Sequence, residues 1–286
     1  MNKENIKKLL EKILKDSTDF KVELFPFEET KGFYKNIYKI VCKNKTYVLK
    51  KAKEDELSCY SSLNNSSVHL PYFYGSYHFY GKDYFLIEYV EGHNAMKMSR
   101  DDLIRILDAI IDIQDLYWNS SLSFGTTKEK MLQSRMNRLN YLPDELKKPY
   151  EKYIECFKNI PVTFSHEDLL PFNVLLSDKQ VHFIDLEVGG ILPYPTMLAR
   201  LIAHTSSKKD AMFYCAKEDY DFAIEYYYEN CAKKHDINKE EYIKSMNLFI
   251  FNELIEWIYV YKKYGYNPND FYNGYYQRAI EKIKEI

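Results

Sequence analysis

Residues 1–16 form a charged, amphipathic stretch, and beyond it the pattern changes to short runs typical of strands. Residues 22–27, 36–43 and 46–52 are rich in β-branched and aromatic side chains, and Asn44 and Lys45 supply a tight turn between the last two. Residues 54–63 predict a short helix closed by the polar loop Asn64 to Ser67. Two further strands are expected after Pro71, over 72–80 and 83–90. Past Gly92 the period lengthens: Leu103, Ile106, Leu107, Ile110 and Ile111 mark one face of a helix. Helical patterning continues through 127–158 and breaks at Pro161. Two short strands with polar loops then occupy 162–187, and from Pro195 the pattern is helical almost to the end. The expectation is an α+β fold: an antiparallel-sheet lobe over 1–91, a hinge near 88–92, and a larger helical lobe over 92–286.

Composition narrows the function classes. A net charge of −2, from 40 basic and 42 acidic side chains, argues against a polyanion such as nucleic acid as the main partner. The 28 tyrosines beside 9 glycines read as the bias of an AT-rich genome rather than as a functional surface. Cys42, Cys59, Cys156, Cys215 and Cys231 are widely spaced and contain no Cys-x-x-Cys pair, so neither a disulfide framework nor a zinc site is expected. The N-terminus lacks the apolar core of a signal peptide, and no apolar run approaches the roughly 18 residues of a membrane span. A cytoplasmic, reduced protein with no membrane partner is expected.

The chemistry concentrates in residues 166–187. His166-Glu167-Asp168-Leu169-Leu170-Pro171-Phe172-Asn173 places a carboxylate and a carboxamide five residues apart on a loop between apolar stretches. Asp185 follows Asn173 by twelve residues, at the end of a hydrophobic strand. A lone His-x-Asp is common, and an Asp at a strand end is usually a cap. In this order, however, the three groups form the set that phosphoryl transfer from a nucleotide requires. One carboxylate orients the attacking hydroxyl and accepts its proton, while a second carboxylate and an amide oxygen supply the hard ligands Mg²⁺ prefers.

This segment resembles the aminoglycoside phosphotransferase and choline kinase superfamily, distant relatives of protein kinases whose loop follows a related pattern. The resemblance implies a protein-kinase-like two-lobed fold and transfer of the γ-phosphate of ATP, with GTP open, to a hydroxyl of a small-molecule acceptor. It implies Asp168 as catalytic base, Asn173 and Asp185 as Mg²⁺ ligands, and His166 as a brace of the loop. Tyr47-Val48-Leu49-Lys50 is similar to the strand whose lysine contacts the phosphates, and alternation sends only one of Lys50 and Lys51 into the cleft. Glu56 stands where the family helix carries the lysine's partner. Asn36 matches an Asn before the second strand, Ile87 a gate position, and the backbone of Glu88 and Val90 the adenine-binding hinge. The phosphate-covering loop over Glu28 to Asn36 has one glycine and no Gly-x-Gly-x-x-Gly.

The chain departs from the family at Glu167, where a small residue is usual, at Phe172, where Gly is frequent, and at Met197, which stands at the position of an Asp that supports the loop. For the acceptor, residues 211–262 carry ten acidic side chains and six lysines, a balance of −4 that suits a cation. Glu253, Trp257 and Tyr261 follow at i, i+4 and i+8 on one predicted helix face, a carboxylate beside aromatic rings that suits an alkylammonium. A choline-type amino-alcohol acceptor and a catalytically silent kinase-like binding protein stand as alternatives to an aminoglycoside-type acceptor.

Overall fold

A computed structural model describes all residues except Met1, 16–18, 28–31, 43–44, 64 and 268–269, with backbone only at 26–27, 32–35 and 54. The amphipathic N-terminus is a helix, α1 (Lys3–Leu14), started by the Asn2 side chain accepting from the Asn5 N–H at 2.9 Å. Five strands follow: β1 (Phe20–Phe27), β2 (Gly32–Cys42), β3 (Thr46–Lys51), β4 (Phe73–Phe79) and β5 (Lys82–Glu88). They form one antiparallel sheet in the order β1-β2-β3-β5-β4. Helix α2 (Glu54–Leu63) spans the residues its pattern predicts.

The two-residue period of the strands sorts side chains between the helices on either face. Tyr38 and Ile40 of β2, Tyr47 and Leu49 of β3, and Tyr84 and Leu86 of β5 pack with Ile6, Leu9 and Leu10 of α1. The opposite face carries Phe85 and Ile87, which share a core with Cys59, Tyr60 and Leu63 of α2. Lys50 lies between Leu49 and Lys51 and so takes the α2 face, whereas Lys51 shares its side with Leu49.

The remainder is mainly helical: α3 (Arg100–Asp115), α4 (Lys128–Arg138), α5 (Asp144–Asn159), α6 (Thr196–Ala203), α7 (Lys217–Asn230), α8 (Lys239–Tyr264) and α9 (Phe271–Lys282). Leu103, Ile106, Leu107, Ile110 and Ile111 of α3 are all buried, as their spacing requires. Short strands β6 (His93–Asn94), β8 (Val174–Leu176) and β9 (Val181–Phe183) form one small sheet, and β7 (Val162–His166) pairs with β10 (Gly189–Pro193).

One expectation needs correction, and two others fall partly outside the described residues. Residues 204–216 interrupt the helical run expected after Pro195, because the chain there bridges Tyr214 to Lys97 and to Ser206. Strands β6 and β10 were not expected and have no periodic signal: β6 has two residues, and β10 begins with two glycines. The turn expected at Asn44 and Lys45 and the phosphate-covering loop expected over Glu28 to Asn36 fall partly outside the described residues.

The glycines of β10 are demanded by contact rather than flexibility. A Cβ on Gly190 would lie 2.1 Å from the Thr126 carbonyl oxygen, where an antiparallel bridge joins Gly190 to Gly125. That oxygen belongs to backbone and cannot withdraw. Gly190→Ala is therefore expected to destabilise the protein by about 2–3 kcal/mol, as overpacking does, read as a lower urea midpoint with unchanged m-value.

Candidate active site

Strand β7 carries the chain to His166 in the interior. The Leu169 N–H then donates to the His166 carbonyl (3.2 Å) and the Leu170 N–H to the Asp168 carbonyl (2.7 Å), folding the loop tightly. A single 3-10 turn at Pro171–Asn173, begun by a proline that needs no N–H partner, leads into β8. The His166 Nδ1 accepts from the Asp168 N–H (3.3 Å), and its Nε2 lies 2.8 Å from the Ile184 carbonyl, so Nε2 carries the proton. Burial pushes His166 below its ordinary 6.5 and keeps the ring neutral. One side chain thereby ties the loop to the segment leading to Asp185. The Ile184 N–H, donating to the Asn173 carbonyl at 3.0 Å, ties it a second time. Asp185 itself has φ +65°, a left-handed conformation Asp tolerates better than most residues.

Asp168 is about one-third exposed and is held from both sides. Asn173 Nδ2 donates to its carbonyl at 2.7 Å and lies 3.4 Å from its Oδ2. Arg200 Nη2 donates to Oδ1 at 2.7 Å.

The lysine of β3 reaches the same region. Lys50 Nζ lies 2.7 Å from Glu56 Oε1, contacts Asp185 Oδ1 directly, and is 3.5 Å from Glu187 Oε1. Burial works against its charge, but the Glu56 and Asp185 carboxylates outweigh it and raise Lys50 above its ordinary 10.5, so it stays protonated. Burial pushes Glu56 up to about 7 against the pull of Lys50, and its Oε2 is buried without a hydrogen-bond partner.

The helix carrying Glu56 is fixed by the helical part of the molecule. Asp55 Oδ2 accepts from Thr126 Oγ1 (2.8 Å) and Lys130 Nζ (2.6 Å). The Gly125 N–H donates to Ser58 Oγ (3.1 Å), and Cys59 Sγ donates to the Gly189 carbonyl (3.1 Å).

Glu56, Asp185 and Glu187 each offer a carboxylate oxygen, all within 4.8 Å of one another. The Asn173 amide nitrogen is engaged by Asp168, so the amide oxygen is the atom of Asn173 left to offer a metal. An all-oxygen set with excess negative charge fits a hard divalent cation such as Mg²⁺.

At the hinge, Ile87 is buried opposite Val48. The Glu88 N–H already donates to the Tyr72 carbonyl (2.8 Å), so Glu88 has only its carbonyl to offer a base; Val90 is half-buried. Asn36, at φ +67°, is exposed at the residue before Ile37, which pairs with Lys50.

The expected acceptor face is not assembled as one surface. Glu253 is 4% exposed, and its Oε2 accepts from Arg200 Nη1 at 2.8 Å. Trp257 packs edge-on against Phe271 at 4.9 Å, and Tyr261 lies 4.5 Å from Tyr272, so both turn toward α9. The carboxylate faces inward because a buried guanidinium requires it there.

Sequence reasoning missed Arg200, Glu187 and Arg135. Arg200 carried a signal, being the one charged residue in the apolar run Thr196 to Ala203. Met197, where the family Asp was expected, is fully buried in the apolar core, and the support of Asp168 comes from Arg200 one turn later. Glu167 is buried in direct contact with Arg135, which accounts for its departure from a small residue. Phe172 is 36% exposed and packs 5.9 Å from Phe213.

No family model matches the chain. Two curated relatives, both described as Protein LicA from Haemophilus influenzae, are 25% identical over 146 residues, 50% of this chain and 41% and 52% of theirs. The chain thus spans about half the length of the curated relatives it matches. An aminoglycoside phosphotransferase from Alicyclobacillus acidocaldarius superposes with TM-score 0.60 at 12% identity, covering 89% of this chain and 88% of that one. A choline kinase from Cryptosporidium parvum gives TM-score 0.61 at 15% identity, covering 93% and 89%. A Streptomyces rimosus aminoglycoside phosphotransferase in complex with ADP and streptomycin gives 0.55 at 16%, covering 77% and 90%. At these identities the likeness is one of fold. The chain has the two-lobed α+β fold of the aminoglycoside phosphotransferases and choline kinases.

The pairing of Glu253 has a pH consequence. Burial alone would raise its carboxyl, but Arg200 and His204 outweigh burial and hold it well below its ordinary 4.5. A group held lower in the folded than in the unfolded state contributes stability above about pH 4.5 and loses it as pH falls further. Wild type is expected to exceed Glu253→Gln by about 3 kcal/mol at pH 7, the scale of a broken buried pair. The gap should narrow steadily below about pH 4.5, as measured by urea unfolding across pH 3 to 7.

Proposed function

We propose that this protein is an ATP-dependent kinase that transfers the γ-phosphoryl group to a hydroxyl of a small molecule. The observation that carries the reading is the convergence of Lys50, Glu56 and Asp185 on one side and Asp168 and Asn173 on the other, from distant parts of the chain. The fold shared with phosphotransferases, one of them holding ADP and streptomycin, supports it. Residues 1–91 then form the nucleotide lobe, with the Glu88 carbonyl and Val90 at the adenine edge and Asn36 near the phosphates. Residues 92–286 carry the catalytic loop and the acceptor site.

In this reading Lys50, held by Glu56, presents a fixed positive charge to the nucleotide phosphates. Asn173 and Asp185, with Glu187 adjacent, hold Mg²⁺, which when bound offsets charge on the phosphoryl group undergoing transfer. The Oδ1 of Asp168 is occupied by Arg200 at 2.7 Å, whereas Oδ2 has only the longer 3.4 Å contact from Asn173 Nδ2, so Oδ2 is the oxygen left to meet the acceptor hydroxyl. As the hydroxyl oxygen bonds to the γ-phosphorus, Oδ2 takes its proton, the bond to the β–γ bridging oxygen breaks, and ADP leaves. His166, buried and neutral, braces the loop and takes no proton.

The acceptor is a small sugar or amino alcohol. An aminoglycoside-type acceptor and a choline-type acceptor share a cationic nitrogen, which the acidic balance of 211–262 favours. On that helix Glu253 and Glu256 are both engaged by Arg200, so a cationic acceptor would draw on the acidic balance of the region rather than on a free carboxylate of this face. Among the described residues no helix is long and apolar enough to cross a membrane.

Purified protein with Mg²⁺ and ATP or GTP is expected to phosphorylate at least one member of a panel of aminoglycosides, choline and ethanolamine. Asp168→Asn should lower transfer by on the order of 10³-fold, the scale of lost general-base catalysis, and leave the nucleotide Kd within about twofold. Asp185→Asn should weaken Mg-nucleotide binding by about tenfold or more. Wild type that binds nucleotide but turns over neither the panel nor water would indicate a silent binding protein, and an Asp168→Asn variant as active as wild type would remove Asp168 as base.

A further inference from the structure

Helix α6 buries Met197, Leu198, Ala199, Leu201 and Ile202 completely, yet places Arg200 in their midst. Desolvating a guanidinium is costly, and this one is compensated by carboxylates on two separate parts of the chain. Its Nη2 donates to Asp168 Oδ1 at 2.7 Å. Its Nη1 donates to Glu253 Oε2 at 2.8 Å, contacts Glu256, and lies 3.1 Å from His204 Nε2. The far end of this bridge is itself anchored. Glu253 Oε1 accepts from Asn252 Nδ2 at 2.9 Å, and Asn252 Oδ1 accepts from Tyr150 Oη (3.1 Å) and Arg138 Nη1 (3.3 Å). His204 Nδ1 lies 2.8 Å from Tyr275 Oη. The chain of contacts runs from helices α4, α5, α8 and α9 through one planar fork to a single partly exposed carboxylate.

Resting on the reading of Asp168 as the base, we infer that Arg200 is a positioning residue for the transfer step. It fixes the carboxylate of Asp168 through Oδ1 and leaves the acceptor Oδ2, whose other contact is the long one from Asn173 Nδ2 at 3.4 Å, and Glu253 acts only by fixing Arg200. The observation that separates this from a plain structural strut is where the fork ends. A strut would be satisfied by Glu253 and Glu256 on the neighbouring helix, whereas this guanidinium gives its second terminal nitrogen to the loop. Asn173 Nδ2 holds Asp168 from the other side, at its backbone carbonyl (2.7 Å) and more loosely at Oδ2 (3.4 Å), so Arg200 on Oδ1 is the firmer of the two contacts that orient the carboxylate plane. A lysine would keep the charge but has a single nitrogen, which cannot bridge Asp168 and Glu253 in one fixed plane.

The test compares full-length wild type, Arg200→Lys, Glu253→Gln, the double variant and Asp168→Asn. For each, kcat and KM are measured for Mg·ATP with the best acceptor of the panel, or with water if only hydrolysis is seen, together with nucleotide Kd and Tm. Arg200→Lys is expected to lose on the order of 10²-fold in kcat, the cost of misplacing a catalytic group by about 1 Å, with KM and Kd for Mg·ATP within about twofold. Glu253→Gln should lose about 10-fold in kcat, and the double variant should be no slower than Arg200→Lys within about twofold, the non-additivity of groups acting in series. Arg200→Lys with wild-type kcat, or losses that multiply in the double variant, would overturn the inference, as would a loss confined to KM. A lowered Tm with unchanged kcat would mark Arg200 as a strut only. Nucleotide binding reports which variants are folded; if Arg200→Lys does not fold, a wild-type kcat in Glu253→Gln overturns the inference by itself. Asp168→Asn separates the two levels: if it keeps wild-type activity the base assignment fails, and if wild type itself shows no turnover the kinase reading fails and the role of Arg200 falls with it.

Discussion

The ammonium of Lys50 stands between Glu56 on α2 and Asp185 beyond β9, and it joins two parts of the chain 135 residues apart. Glu56 is almost wholly buried, so the ammonium cannot leave it without stranding a carboxylate in the interior, and the sheet, the helix behind it and the loop below share one register. The contacts from Asp55, Ser58 and Cys59 to Thr126, Lys130, Gly125 and Gly189 reinforce it by pinning α2 to the helical part of the molecule. The close approach of Gly190 to Thr126 is what allows those groups to meet. The position of the lysine therefore depends on packing a long way from its own strand.

Charge compensation is the second organising constraint. Arg135 and Arg138 on α4 and Arg200 on α6 are turned inward, and each meets a carboxylate: Glu167, Glu256, and the group of Asp168, Glu253 and Glu256. Removing one member of such a buried set strands its partner, at a cost of about 3–5 kcal/mol. The arrangement is therefore expensive to alter piecemeal, and it surrounds Asp168 and its neighbour Glu167 on the side away from solvent. Rigidity of this kind would serve the proposed role of Asp168 as a base that meets its acceptor at one angle. Asp168 remains the member with the most open approach, about one-third exposed, while Glu253 is almost wholly enclosed.

Much of this was legible along the chain, for reasons that are local. The antiparallel strands, α2 and α3 follow from hydrophobic spacing, because each element faces its core with a fixed period. The loop from His166 to Asn173 and the carboxylate at Asp185 were readable because its parts lie within twenty residues and β8 and β9 form a hairpin that fixes their spacing. The choice between Lys50 and Lys51 was open in sequence because alternation says that they diverge and not which face is the cleft. Burial of Leu49 against α1 decided it.

The sequence by itself determined the kinds of elements and the loop on which the candidate groups sit, since both rest on residue type and short-range spacing. Only the tertiary structure decided the partners. Arg200 meets Glu253 across 53 residues, Arg135 meets Glu167, and Asp55 meets Lys130 across 75, and no periodicity encodes such pairings. The fate of Glu253 shows why: on a helix drawn from its sequence it shares a face with Trp257 and Tyr261 and is free to greet a cation. In the folded chain a buried guanidinium had already claimed it, because an ion taken out of water must find its counter-charge wherever the packing brings one.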